Sequence, residues 1–124
     1  MPNEQDTADL AWPVQEQLAA YNAKDIERFM QWWADDCRYY AFPCEVLADG
    51  AAQIRERHVE RFKEPDLHGR LMHRAVIGNL VIDQEVVTRT FPDGRGEADV
   101  LAIYEVESGK IINAWFKIGP RRMP

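Results

Sequence analysis

The chain has 124 residues, 46% of them hydrophobic and 29% charged, with a formal net charge of -6. This balance fits one soluble globular unit spanning residues 1–124, with an ordered core from about residue 10 to about residue 118. The negative charge disfavours nucleic acid and anionic membranes as partners, because phosphate-rich surfaces call for a basic footprint.

No apolar run approaches the ~20 residues of a membrane span. The opening MPNEQDTADL is polar and lacks the pattern of a secretory leader, so a cytoplasmic location is expected. Cys37 and Cys44 are too few for a disulfide framework and are expected as reduced thiols.

Taken in chain order, Leu10, Val14, Leu18 and Tyr21 recur at helical spacing and make one face of a first helix. Pro13 is expected in its first turn, where a missing N–H breaks no helix bond. Asn22 and Ala23 close the helix, and Asp25 can cap a short second one whose face is Ile26, Phe29, Met30 and Trp33. WWADD is expected to end that helix and CRYYAFP to form a strand. Asp35 and Asp36, adjacent at this corner, point in different directions and make a poor acid–base pair. They read as solvated or capping carboxylates.

After LADG a third helix is expected, capped by Asp49, with Ala51, Ile54, His58 and Phe62 as its inward stripe and Lys63-Glu64-Pro65 as its end. The second half changes period. Four segments rich in β-branched and aromatic residues are separated by Gly78-Asn79, Pro92-Asp93-Gly94 and Ser108-Gly109, which suits an antiparallel meander. The class is therefore α+β, with helices segregated onto one face of a curved sheet.

The order AAYNAKDIERFMQWWADDCRYYAFP, then ADGAAQIRERH, then strands ending YEVESGKIINAWF, resembles the SnoaL-like branch of the nuclear-transport-factor-2-like superfamily. The resemblance runs from about Leu10 to about Ile118. It implies a cone: a strongly curved sheet wrapping a pocket that three helices close. It also implies a small apolar organic molecule as ligand and often a homodimer through the outer sheet face; no cofactor is expected, since no Gly-rich phosphate loop is present. That dimer is also expected because VVTRTF, DVLAIY and INAWF are apolar on both faces. Ketosteroid isomerase shares the fold and works with a carboxylate base, a tyrosine and a protonated acid. Aligned on AKD, ADD and GKI, those places fall on Ala41, Gln17 and Ala102. None can do that acid–base work, so a ketosteroid isomerase is not expected.

His58 is the leading catalytic candidate. Its helical spacing puts it on the inward stripe, and the resemblance puts it at the pocket; a mostly neutral imidazole is expected there. Gln17, Tyr21 and Tyr40 are candidates to orient polar atoms. Trp33, Tyr39, Ala41, Phe62, Ala102 and Phe116 are further candidate wall residues. Glu85, Arg89, Glu97 and Asp99 could meet across a hairpin, as the acids and arginine of limonene epoxide hydrolase do, but such pairs are usually sheet-surface ion pairs. His68 and His73 differ by an odd number on one strand, so no metal site is expected. Two readings stay open: an enzyme of isomerase, cyclase or hydrolase type, and a non-enzymatic ligand-binding or association domain.

Overall fold

A computed structural model describes residues 4–123; Met1–Asn3, which begin the stretch read as lacking a leader, and Pro124 lie outside it. Helix α1 (Glu4–Ala23) is followed by α2 (Ile26–Met30), β1 (Trp33–Ala41), β2 (Glu45–Asp49) and α3 (Ala51–Arg61). Strands β3 (His68–Ile77), β4 (Leu80–Phe91), β5 (Gly94–Glu107) and β6 (Lys110–Ile118) complete the chain. They form one open mixed sheet in the order β2-β1-β6-β5-β4-β3, parallel only between β1 and β6. The class is α+β, with three helices on the concave face. Among the described residues no helix is long and apolar enough to cross a membrane.

The helical face read from spacing is the one that packs. Val14 and Leu18 are buried, and α1 touches β3, β4, β5 and β6. Asp25 caps α2, accepting the Arg28 N–H at 3.1 Å, and Lys24 turns the chain with a φ of 55°. Ile54 and His58 of α3 are buried as expected. The sheet bends because its register shifts in β1, β3 and β5. Each shift inserts a bulge that increases local twist. The bend turns one face into a concave wall carrying Val81, Val87, Ala98, Ala102 and Ala114.

Four boundary expectations are corrected. The first helix begins at Glu4, so Pro13 is buried in its interior, where the ring leaves the Asp9 carbonyl without its usual partner. Trp33, Asp35 and Asp36 belong to β1 rather than to the second helix. Strand parity won over helical spacing because Trp33 pairs with Ile111 of β6. The aspartates lie exposed in a bulged stretch.

Strand β2 was not foreseen. It is a short edge strand pairing with Tyr39–Ala41 and Arg38. Asp49 does not cap α3: Gly50 holds that position at a φ of 92°, and the Gln53 side chain instead accepts the Asp49 N–H at 2.8 Å.

Candidate active-site cavity

The concave face encloses a cavity of about 320 Å³. Its floor comes from Gln17 and Tyr21 of α1 and His58 of α3. Its walls come from inward residues of β1, β4, β5 and β6, and Arg57, Arg61 and Arg89 also line it. Strand parity selects those residues: Asp83, Glu85, Val87, Arg89 and Phe91 alternate on one side of β4, facing Ala102, Val100 and Ala98 across the register.

Of the residues singled out by sequence, Gln17, Tyr21, Trp33, Tyr39, Ala41, His58 and Phe116 line the cavity. Three do not. Tyr40 lies on the outer face, stacked on Trp115 with ring centroids 5.6 Å apart, because adjacent strand residues alternate. Phe62 sits behind the floor and packs edge-on against Tyr21 and Phe29. Ala102 is fully buried opposite Asp83, too small to reach the open space. Asp99 and Glu97 face outward and pair with Arg122, so only Glu85 and Arg89 of that foursome reach the cavity. Among the described residues no group of His, Cys, Asp and Glu is arranged to hold a metal ion.

His58 sits in an aromatic box. Phe29, Tyr39, Phe62, Tyr21 and Trp33 surround its ring at centroid distances of 4.6 to 6.5 Å. Its Nδ1 lies 2.8 Å from the Ile54 carbonyl oxygen. A carbonyl only accepts, so Nδ1 carries the proton and Nε2 is left as an acceptor. Burial pushes the imidazole down from 6.5 to about 4; the Ile54 bond opposes this, while Arg61 and Arg57 add to it. His58 is thus neutral at pH 7, as expected, and only weakly basic.

The wall group that burial brings nearest to neutrality is one that sequence left among surface ion pairs. Glu85 is 6% exposed, and burial raises it from 4.5 to about 7, helped by the neighbouring Asp83 charge and opposed by Arg74. Asp83 is fully buried and held by a two-pronged pair with Arg74 at 2.7 and 2.9 Å. Glu85 has no such partner: among the described residues no hydrogen bond reaches its carboxyl. Room for it comes from Gly69, where a Cβ would lie 2.7 Å from Glu85 Oε1. Asn22 fixes that glycine by donating to its carbonyl at 2.9 Å and accepting its N–H at 2.8 Å. Parity puts Asp83, Glu85 and Arg89 on one face of β4, but does not by itself say that this face is the inner one.

Two further polar groups converge here. Tyr104 is buried, and its hydroxyl accepts from Gln17 Nε2 at 3.3 Å, which leaves its own O–H free to donate. Burial raises its pKa well above the ordinary tyrosine value, so it stays protonated. The indole N–H of Trp33 is buried with no acceptor among the described residues. The cavity therefore offers a carboxyl near its midpoint at neutral pH, a phenolic donor and an imidazole acceptor between apolar walls.

Several solved proteins share this architecture. A cystatin-fold protein from Novosphingobium aromaticivorans superposes with a TM-score of 0.79 at 25% identity, covering 87% of this chain and 96% of that one. A limonene-epoxide-hydrolase-like epoxide hydrolase of M. tuberculosis gives 0.78 at 15% identity, covering 92% and 85%. A protein with a ketosteroid isomerase-like fold from Catenulispora acidiphila, solved with trimethylamine, gives 0.73 at 13% identity, covering 84% and 82%. At the lower identities the likeness is one of fold. No curated protein matches the chain in sequence. The family model for the SnoaL-like domain matches residues 14–114, from the α1 face that floors the cavity to the strand that walls it, and the chain belongs to the SnoaL-like domain family.

Proposed function

We propose that the protein is a small-molecule enzyme of isomerase, cyclase or hydrolase type that moves a proton on a compact, mostly apolar organic ligand, with Glu85 as the proton-transfer group. The observation that carries this reading is a buried carboxyl, unpartnered and raised to about 7, opening on a cavity of about 320 Å³. A general base works best with a pKa near the working pH. The volume lies at the small end of ligand pockets.

In this reading Glu85 takes a proton from a C–H, an O–H or a water. The Tyr104 O–H donates to the oxygen on which charge develops. His58, too weakly basic at pH 7 to be the main base, orients a ligand hydroxyl through Nε2. The expectation that His58 itself transfers the proton gives way to Glu85 on the strength of those two pKa values.

A neutral reporter tests this. 5-Nitrobenzisoxazole is flat, apolar and small. A base removes its C3 proton, the N–O bond breaks, and 2-cyano-4-nitrophenolate is released. Wild-type protein should speed this ring opening, and Glu85→Gln should lower the rate by about 10²-fold. If the reporter binds equally to both and the rates are alike, the non-enzymatic binding reading replaces this one.

We also propose that two copies pair through the outer sheet face. Val46, Tyr40, Trp115, Ile103, Ile82 and Ala75 are lateral neighbours by register, an apolar row across all six strands. Such a row on a face turned away from the core supports a second copy as its cover.

A further inference from the structure

The charges on the cavity walls are uneven in a way the proton-transfer reading does not use. Arg57 and Arg61 are four residues apart on α3 and so share one helix face. Arg89 reaches the same cavity from β4.

Glu64 serves two of these arginines. Its Oε2 accepts from Arg89 at 3.0 Å and lies 3.8 Å from Arg61, while its Oε1 accepts the Thr90 N–H at 2.8 Å. One carboxylate therefore answers two guanidinium groups. Arg57 has no carboxylate partner among the described residues; its guanidinium lies over the Tyr39 ring at 5.4 Å. Lys117 adds a fourth cation to the lining. Glu64 stands behind the lining, and among the described residues the one acid on the walls is Glu85, which burial keeps protonated below about pH 7.

A chain with a net charge of -6 thus places a local surplus of positive charge around this apolar cavity. Cations that line a low-dielectric cleft focus an attractive potential on anions. Structural ion pairing does not explain Arg57, and a guanidinium with five N–H donors has more than its contact with Tyr39 uses.

We infer that the ligand is an amphipathic anion, an aryl or alkyl carboxylate whose charged end meets Arg57, Arg61 and Arg89 while its apolar body lies against Trp33, Tyr39 and Phe116. This deepens the reading of the cavity as a ligand site and rests on it. Glu64 is the specificity counterweight: it absorbs part of the charge on Arg61 and Arg89, so Arg57 carries most of the discrimination. A guanidinium presents paired N–H donors to a carboxylate, which an amide of the same shape cannot match.

The test uses 4-phenylbutanoate and its neutral, near-isosteric amide, 4-phenylbutanamide, titrated calorimetrically at pH 6 in low salt. The acid should bind about tenfold more tightly than the amide, the ratio expected when one charge-assisted contact is gained. In Arg57→Gln that preference should fall to about twofold or less, and Arg57→Lys should keep part of it. Raising the salt to 0.5 M should shrink the wild-type preference, since the Debye length then falls to only a few ångströms, roughly half its physiological value. Arg57 is partly exposed, so its variants should keep the wild-type melting temperature. Equal binding of acid and amide by wild type overturns the anion inference and leaves the apolar pocket standing. Undiminished preference in Arg57→Gln overturns it as well. Failure of both probes to bind folded protein overturns the inference and the pocket reading together.

Discussion

Replacing Glu85 by Gln should make the protein more stable, and increasingly so as pH rises. The carboxyl is raised from 4.5 to about 7 in the fold, chiefly by burial. Between those values the folded state holds a proton that the unfolded chain has released, so stability falls as pH rises through the window and levels off above about 7. A tenfold change in proton affinity corresponds to about 1.4 kcal/mol, so the rise from 4.5 to about 7 costs about 3 kcal/mol at pH 8.

Glutamine keeps the shape and carries no charge to desolvate. Its advantage over wild type should therefore grow by about 2 to 3 kcal/mol between pH 5 and pH 8. His58 hides this in the wild type alone. Its pKa falls from 6.5 to about 4, so its contribution is lost as pH drops and the two slopes oppose each other where the windows overlap. Urea unfolding of both proteins at several pH values separates them. A stability difference that stays constant from pH 5 to pH 8 would refute the argument that Glu85 is held near neutrality.

Three other outcomes are expected. His58→Gln should cost about 1–2 kcal/mol at pH 7 through the lost bond to Ile54, yet remove the slope that opposes Glu85, so that its stability rises relative to wild type by about 2 kcal/mol between pH 7 and pH 4.5; urea titrations at both values check this, and a difference from wild type that stays constant would contradict it. Gly69→Ala places a methyl against the end of Glu85, which can swing, so stability should fall by only about 1 kcal/mol while the ring-opening rate of 5-nitrobenzisoxazole drops and the circular dichroism spectrum is kept; a full rate would show that the carboxyl does not depend on this glycine. Light scattering at micromolar concentration should give twice the chain mass, and Trp115→Glu should give monomer with the fold retained; wild-type monomer mass would remove the outer-face pairing.

The parts legible in the sequence were those set by one strong local signal. The α1 stripe, the Asp25 cap and the inward spacing of Ile54 and His58 each follow from helix geometry that tertiary packing reinforces. Trp33 satisfied two periods at once, continuing Phe29 in helical spacing and matching Cys37, Tyr39 and Ala41 in strand parity, and long-range pairing with β6 decided between them. Strand β2 was missed because its five residues sit on an edge and carry acids at both ends.

Glu85 was visible but unweighted. Both faces of β4 mix apolar and polar residues, so alternation alone could not say which face was buried. Nor could the sequence say that Ala102 lies across the register from Asp83, with Glu85 two residues on. The space for its carboxyl depends on Gly69, a residue on the neighbouring strand. Register of that kind is a property of the assembled sheet.

The most direct measurement is a carbon-13 NMR titration of the side-chain carboxyls, run with and without 4-phenylbutanamide. One carboxyl, lost in Glu85→Gln, should titrate near pH 7, and its resonance should be the one that moves most when the amide is added. If the Glu85 carboxyl titrates in the ordinary range near 4.5, or stays still when the amide binds, the protein lacks the poised acid that the proposed chemistry requires.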